Sequence, residues 1–233
     1  MKKILCLILS AIMLLTLCAC FAGCSQDDVR GEISDNNAGQ EQNNTQGSTP
    51  KETEPELAMG KTTGGTYKSD FLGISCTIPE GWVFYTDEQI LEMNNLTNDY
   101  LDKDVADALK NATLIYDMMA TNLAEGGSIS INMEKLSALQ ILSLDIKETL
   151  EAQIPTIKSA YENIGYTDIN VQYQKVTVDG KQFDALKLSA KIQGNEFTVI
   201  TFAFRKGSYL ANVSVGTLQT DKMQDLLGCF KVN

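Results

Sequence analysis

A run of alternating strands with glycine-containing turns constrains the fold of this chain more than any other feature. Between Asp168 and Gly216, apolar and polar residues alternate as they do in half-buried strands. Three two-residue turn signals interrupt the alternation, namely Asp179-Gly180, Gly194-Asn195 and Lys206-Gly207. Dipeptides of this kind favour tight hairpins between neighbouring strands. The segment therefore predicts an antiparallel meander.

Further strands are predicted on the N-terminal side of the meander and within it. Leu72–Ile78 alternates in the same way, and Leu114–Leu123 pairs with Ser128–Leu136 across a connection that ends in Gly126-Gly127. The run Phe197–Phe204 is apolar on both faces, so we expect it in the middle of a sheet that is covered on both sides.

Apolar residues at helical spacing predict four helices. The first begins near Thr86, and the other three cover about Asp99–Asn111, Leu144–Ile164 and Gln219–Phe230. Pro155 lies inside the longest of them and predicts a kink or a break after Gln153. Together the elements predict an α+β fold, in which helices pack on the faces of an antiparallel β-sheet.

The N-terminus has the composition of a secretory signal peptide. Lys2 and Lys3 precede an apolar run, and small residues follow the run. The stretch Phe21-Ala22-Gly23-Cys24 resembles the processing box of bacterial lipoproteins, in which the cysteine is lipidated and becomes the new N-terminus. This resemblance implies a lipid anchor, including palmitate-type acyl chains, on Cys24. The protein is then expected on the outer face of the cell membrane, because two acyl chains hold a protein stably on a bilayer.

Two alternatives to this assignment stay open. Leu17-Cys18-Ala19-Cys20 is a competing box, which would make Cys20 the lipidated residue. The apolar run of residues 4–21 also reaches the lower length limit of a membrane-spanning helix. We favour Cys24, because Ala22 and Gly23 supply small residues and the polar chain begins directly after the cysteine.

Composition divides the mature chain into two parts. Residues 24–66 carry the lipidated cysteine and a polar, acidic segment that is too poor in apolar residues to form a core, so it predicts a disordered tether. A flexible segment of this length reaches roughly 35 Å. Residues 67–233 are predicted to form a single α+β domain.

Charge and histidine content exclude several functions. Removal of residues 1–23 takes away two lysines and no acid, so the net charge changes from −11 to −13. Such a surface repels phosphate backbones, and nucleic-acid binding is not expected. The chain contains no histidine, which excludes Ser-His-Asp and Cys-His catalysis and zinc sites built on imidazole. No cofactor and no metal site are predicted.

The segment Phe71–Trp82, FLGISCTIPEGW, resembles the opening of PsbP-like domains, which often begin with a Gly-Ile strand that runs into Pro-x-Gly-Trp. The order of elements over residues 67–233 is also similar, and many uncharacterised lipoproteins of Gram-positive bacteria share this layout. The resemblance implies a PsbP-like α/β/α sandwich. Photosynthetic members bind partners and metal ions partly through histidines, so no site residue carries over to this chain.

Several side chains are candidates for a function. Cys76 and Cys229 are the two cysteines beyond the signal and anchor; a disulfide is open to them, but we favour buried free thiols, because both lie on apolar faces. Trp82, Phe84 and Tyr85 could contact a ligand, although aromatic residues beside a Pro-x-Gly corner usually pack in the core. A dense acidic group predicts a solvated helix face instead of a calcium site: Asp99, Asp102, Asp104 and Asp107.

These observations predict a non-catalytic binding or interaction module rather than an enzyme. Its expected partners are the membrane, through the lipid anchor, and an unknown envelope protein or small ligand. The alternative is a carboxylate-dependent envelope enzyme, such as a glycan-cleaving hydrolase. Its first candidate acids are Glu80, Asp87 and Glu88, which lie near Trp82 in the sequence.

Overall fold

The structure, a computed structural model, describes residues 56–96 and 105–233 and confirms the predicted α+β fold. The strands are β1 Lys61–Thr63, β2 Thr66–Ser69, β3 Ile74–Thr77, β4 Val83–Phe84, β5 Leu114–Asn122, β6 Gly127–Lys135, β7 Thr167–Val178, β8 Lys181–Ile192, β9 Asn195–Lys206, β10 Tyr209–Thr217 and β11 Phe230–Val232. The helices are α1 Asp87–Met93, α2 Val105–Leu109, α3 Ala138–Ser143, α4 Ile146–Asn163 and α5 Met223–Leu227, with a 3₁₀ turn at Thr220–Lys222.

Two antiparallel sheets contain all of these strands. The large sheet has the order β4-β5-β6-β10-β9-β8-β7, and the small sheet has the order β1-β2-β3-β11. The predicted meander is confirmed as β7 to β10. Its first turn is Asp179-Gly180, as expected, whereas the second uses Gln193-Gly194, one residue earlier than predicted, with φ of 50° and 82°. The predicted central position of Phe197–Phe204 is also confirmed, since β9 has neighbours on both sides.

The two faces of the large sheet pack into separate cores. On one face, which we call the two-sheet core, side chains such as Ile131, Phe202 and Val213 pack against the small sheet and α5. On the other face, the helix-side core, Leu186 and Phe197 pack against the long helix α4. The large sheet is therefore covered by helices on one face, and the small sheet and α5 pack on its other face.

A pair of strands extends across the predicted domain boundary. Lys61–Thr63 and Thr66–Ser69 form the hairpin β1–β2 around Gly64-Gly65, so the boundary placed between residues 66 and 67 falls inside a strand pair. Composition missed these strands because they are short and polar. In the structure β1 pairs with β2, and β2 pairs with β3 and carries the buried Tyr67.

Two expectations about helices are not met, namely a break after Gln153 and a last helix that reaches Phe230. The longest helix runs from Ile146 to Asn163 without a break at Pro155. Its Leu150, Ile157 and Tyr161 are buried on the sheet on both sides of the proline, and this packing holds the helix together. The last helix ends at Leu227, and Phe230 instead enters β11, which pairs with β3.

The remaining predicted elements fall partly outside the described residues. Of the helix expected over Asp99–Asn111, the structure describes Val105–Leu109 as helix, and residues 97–104 lie outside the description. The signal peptide and most of the tether lie outside it as well. Among the helices of residues 56–96 and 105–233, none has the length and apolar character to span a bilayer.

Candidate functional site

The central strand β6 has two different faces. Ile129, Ile131 and Met133 point into the two-sheet core. Because successive side chains of a strand point to opposite faces, the residues between them point to the helix side, and all four are polar and buried: Ser128, Ser130, Asn132 and Glu134. A row of polar side chains thus occupies positions where a covered sheet normally carries apolar ones.

Neighbouring strands extend this row across the sheet. In β10, Ser214 pairs with Ser130 and Asn212 pairs with Asn132, and in β9 Thr201 pairs with Ser214. We call these seven residues the polar strip: Ser128, Ser130, Asn132, Glu134, Thr201, Asn212 and Ser214. Ser130 and Asn132 each keep 1% of their surface exposed, whereas Asn212 is half-buried.

Part of the strip satisfies its own hydrogen bonds. The hydroxyls of Thr201 and Ser214 lie 2.8 Å apart, and the Asn212 side-chain amide donates to Asn132 Oδ1 at 3.3 Å. Within the described residues, however, Ser130 Oγ and Glu134 Oε2 are buried and have no hydrogen-bond partner. Buried polar atoms in folded proteins are nearly always paired, so these two atoms call for a partner that the protein does not supply, such as ordered water or a bound molecule.

Burial also changes the acidity of Glu134. Transfer of a carboxyl out of water disfavours its charged form, and burial raises the pKa of Glu134 to about 7. Near neutral pH this group can therefore either donate or accept a hydrogen bond. A buried acid of this kind in a polar row is a candidate ligand-binding group.

A second buried acid, Asp117, lies on the opposite face of the sheet. It occupies a β-bulge in β5 and accepts hydrogen bonds from the Tyr67 hydroxyl and the Gly60 N–H, at 2.5 and 2.7 Å. Burial raises its pKa to about 6, against the opposing effect of these two donors. Because the sheet separates Asp117 from Glu134, the two carboxyls do not face one common cleft.

Helices flank the polar strip on both sides. Helix α1 contacts β5, and α4 contacts β7 and β8. The Asn94 side chain fixes the end of α1, since it accepts from the Tyr116 N–H at 2.9 Å and donates to the Tyr116 carbonyl at 2.7 Å. The strip therefore lies on the central strands, between two helical contacts with the sheet.

The predicted aromatic group does not form one surface. Trp82 is buried in the two-sheet core, where its ring contacts Gly127. Phe84 packs against the same core, whereas Tyr85 packs against the helix-side core. The three aromatic side chains thus lie on different faces of the large sheet, and only Tyr85 lies on the same face as the polar strip.

Cys76 and Cys229 are free thiols in the structure; Cys76 lies in β3, and Cys229 lies in the turn directly before β11. Cys76 is fully buried, and burial raises the pKa of its thiol to about 12, which suppresses the reactive thiolate. Cys229 is half-buried and its Sγ lies 3.4 Å from the Asp225 carbonyl. Cys20 and Cys24 fall outside the described residues.

The acidic side chains that the sequence offered as candidates are either exposed or outside the described residues. Glu80, Asp87 and Glu88 all lie at the surface, the last two in the first turn of α1. Asp99, Asp102 and Asp104, and the side chain of Asp107, fall outside the description. In the part of the chain that is described, no three His, Cys, Asp or Glu side chains are arranged to hold a metal ion.

Sequence reasoning missed the polar strip although the predicted strand Ser128–Leu136 contains four of its seven residues. The alternation of Ser, Asn and Glu with Ile and Met was visible, but it has the same pattern as a strand with one solvated face. The decisive information is that β6 lies in the middle of the sheet and that its polar face is buried.

Comparisons with known proteins give remote similarities. No protein-family model matches the chain, and no curated protein matches it. A protein of Bacteroides thetaiotaomicron is similar in structure, with 10% identity over 74% of this chain and 49% of that one and a TM-score of 0.37; this chain thus spans about half of its length. LpqN of Mycobacterium tuberculosis, described as involved in cell envelope biogenesis, has 12% identity over 67% of this chain and 76% of its own, with a TM-score of 0.36.

Proposed function

We propose that this chain is an exported lipoprotein, anchored through lipidated Cys24 to the outer face of the cell membrane. Its folded region binds an envelope component or a small ligand without transforming it. The proposed anchor and location rest on the order of a basic start, an apolar run, small residues and a cysteine at the N-terminus. The predicted tether between Cys24 and the first strand lets the folded region extend away from the membrane surface.

A single observation carries the binding role: a buried row of polar side chains in the middle of the large sheet has unmet hydrogen-bonding capacity. A covered sheet face gains stability from apolar contacts, and an unpaired buried polar atom costs about 1–3 kcal/mol. Ser130 Oγ and Glu134 Oε2 are the atoms of the strip that have no protein partner in the described structure. A bound molecule that pairs with them would offset it, which is why a binding site accounts for the strip.

The geometry supports binding over catalysis. Glycoside hydrolysis by two acids needs both carboxyls on one cleft, roughly 5–10 Å apart. The buried acids Glu134 and Asp117 lie on opposite faces of the sheet, and Glu80, Asp87 and Glu88 are exposed. The lack of histidine removes the commonest general base.

Membrane fractionation and mass spectrometry of the full-length protein, produced in a Gram-positive host, test the anchor. We expect a membrane-bound product that begins at Cys24 and carries two acyl chains, and we expect Cys24→Ser to leave an unprocessed precursor. Cys20→Ser is the matched control and should be processed normally. An unmodified Cys24 still joined to Gly23 would refute the anchor.

Native mass spectrometry of the same lipoprotein, extracted from its membrane, tests the binding role. We expect a non-covalently bound molecule that is lost in Ser130→Ala and Glu134→Gln and retained in Ser189→Ala, a control on the other face of the sheet. Turnover of a cell-wall glycan or peptide that is lost in Glu134→Gln would show instead that the protein is an enzyme.

A further inference from the structure

We propose that helix α3 docks on an anionic membrane surface, with Leu139 and Leu142 inserted at the level of the lipid headgroups and nearby cations in contact with lipid phosphates. This inference rests on the proposed lipid anchor, and it adds which side of the folded region faces the membrane.

Helix α3 presents two leucines to solvent. Leu139 and Leu142 keep 79% and 85% of their surface exposed, more than any other large apolar residue of the described chain. They are three positions apart, so they lie on one face of the helix, whereas Ile141 packs against the helix-side core. Residues 137–144 contain no charged side chain, so contact with the bilayer interface would not remove a charge from water.

Three cations lie at the end of the large sheet where α3 begins, and we call them the basic cluster: Lys135, Arg205 and Lys206. Lys135 ends β6 and Lys206 ends β9, and both pair with Tyr209 at the start of β10. Directly before α3, the Leu136 N–H donates to the Ser208 carbonyl of the β9–β10 turn at 2.8 Å. This bond places the start of α3 beside the basic cluster.

The cluster is available to an anionic partner. Arg205 is exposed and points to the same face of the sheet as α3, because Ala203, two positions earlier in β9, packs in the helix-side core. Among the described residues, no acid forms an ion pair with any member of the cluster. An apolar surface flanked by cations is typical of protein segments that lie on anionic lipid surfaces.

The opposite end of the large sheet carries the opposite charge. Four acids lie there with two lysines: Glu125, Asp168, Glu196 and Asp221, with Lys191 and Lys222. Both of these lysines are ion-paired with acids of the same end. Because the whole chain has a net charge of −11, an anionic surface repels most of the protein and attracts the end with the basic cluster. Charge thus orients the folded region with α3 towards the bilayer.

The segment that leads to the anchor joins the fold in the same half of the sheet. The Gly60 N–H donates to Asp117 at 2.7 Å, and Asp117 is three residues from Leu114, where β5 begins beside the end of β6. The predicted tether before it, residues 25–55, reaches roughly 30 Å. With Cys24 in the membrane, α3 therefore stays within reach of the bilayer.

This attachment favours the bilayer over a protein as the occupant of the leucine face. A specific protein partner usually needs an interface of about 1,000 Å² or more, which two leucines do not supply. A tethered domain meets the membrane surface at a high effective concentration, so a weak contact is sufficient for docking.

Hydrogen exchange of the mature lipoprotein on vesicles, followed by mass spectrometry, tests the docking. Vesicles of phosphatidylcholine are compared with vesicles of phosphatidylcholine and phosphatidylglycerol in equal parts. We expect the amides of residues 138–143 to exchange about fivefold more slowly on the anionic vesicles, because a helix this short opens readily until its exposed face is covered. The amides of residues 123–126, at the opposite end of the sheet, should exchange equally on both.

Two double variants separate the apolar and the charged contributions. Leu139→Gln/Leu142→Gln removes the leucines without loss of helix propensity, and Arg205→Gln/Lys206→Gln removes two cations. Each should bring the ratio of the two exchange rates close to one. Leu123→Gln is the matched control, since it changes a leucine that is 54% exposed at the opposite end, and it should keep the full ratio.

Surface substitutions of this kind usually leave the fold intact, and thermal unfolding followed by circular dichroism checks this. A test on the wild-type protein needs no variant. Salt at about 1 M shortens the screening length to about 3 Å, so it should lower the exchange ratio.

Flotation of the same samples distinguishes the docking from the anchor. Protein that floats with the vesicles but shows equal α3 exchange on both compositions overturns the docking and leaves the anchor standing. Protein that does not float lacks the anchor, and the proposed function fails together with the docking. An exchange ratio that is unchanged in Leu139→Gln/Leu142→Gln contradicts the role of the leucines. Slow α3 exchange without vesicles that increases with protein concentration would show that a second copy covers this face, which also overturns the proposal.

Discussion

The Tyr67 hydroxyl donates a hydrogen bond to Asp117 Oδ2 at 2.5 Å, and this buried contact joins the small sheet to the large one. Asp117 Oδ1 accepts from the Gly60 N–H at 2.7 Å, so the same carboxyl also fixes the chain just before β1. A Cβ at position 60 would lie 2.2 Å from the Tyr67 ring, which explains why glycine is needed there. The bulge in β5 at Asp117 thus anchors the N-terminal hairpin.

Removal of the Tyr67 hydroxyl should destabilise the protein. Tyr67→Phe leaves the buried Asp117 with one donor fewer, and we expect a loss of about 1–3 kcal/mol in the free energy of unfolding, measured in urea. The control is Tyr173→Phe, which removes a hydroxyl that bonds the more exposed Asp184 and should change stability by less than about 0.5 kcal/mol. Equal effects of the two substitutions would contradict the role of burial.

Asp117 should make stability depend on pH in the acidic range. Burial raises its folded-state pKa from 3.8 to about 6, so the folded protein binds this proton more tightly than the unfolded chain does. The stability contribution is therefore complete below about pH 4 and is lost as pH rises through 6. Asp117→Asn should flatten this part of the stability–pH curve in urea unfolding from pH 4 to 8. Parallel curves for the variant and the wild type would refute the assignment.

Glu134 should add a second pH-dependent contribution in an overlapping range. Its pKa rises from 4.5 to about 7, so stability is favoured below pH 4.5 and decreases as pH rises through 7. Between about pH 6 and 7 stability should still fall with rising pH in Asp117→Asn. Glu134→Gln should remove this part of the stability–pH slope. The double variant tests this, because two acids on opposite faces of the sheet should contribute additively.

The sequence was sufficient for the elements with strong periodicity. Alternation and turn dipeptides predicted β7 to β10, and the apolar stripe predicted α4, because local pattern and tertiary packing agree there. It was insufficient where tertiary contacts decide the structure. Phe230 lies in a strand because β3 offers it a partner, and the break expected at Pro155 is absent because the flanking turns are held on the sheet.

The candidate site was less accessible to sequence reasoning than the fold. A row of polar residues on a strand has the same pattern whether water or another layer covers it. For Ser130 and Glu134 the difference is set by the position of β6 in the middle of the sheet order and by the burial of its polar face. Neither follows from the residues of β6 themselves.

Asn94 should protect the part of the β5 backbone edge that β4 does not pair. Its side-chain amide makes the hydrogen bonds of a neighbouring strand with the Tyr116 backbone, where β4 is too short to reach. Asn94→Ala removes these bonds and should cost about 1–3 kcal/mol, with faster hydrogen exchange at the Tyr116 amide. Asn195→Ala is the control, since its side-chain contacts are 3.5 Å long and lie in an exposed turn. Unchanged exchange at Tyr116 would refute the interpretation.

Gly127 and Trp82 should be energetically coupled. A Cβ at position 127 would lie 2.7 Å from two carbons of the Trp82 ring, so Gly127→Ala forces the indole or the strand to shift. We expect a loss of about 1–3 kcal/mol from overpacking and a change in fluorescence, for which Trp82 is the only tryptophan. Trp82→Phe shortens the ring and should relieve the strain, so that Gly127→Ala costs less in that background than in the wild type. Additive costs in this double-mutant cycle would show that the two residues do not compete for space, and the buried position of Trp82 would then need another explanation.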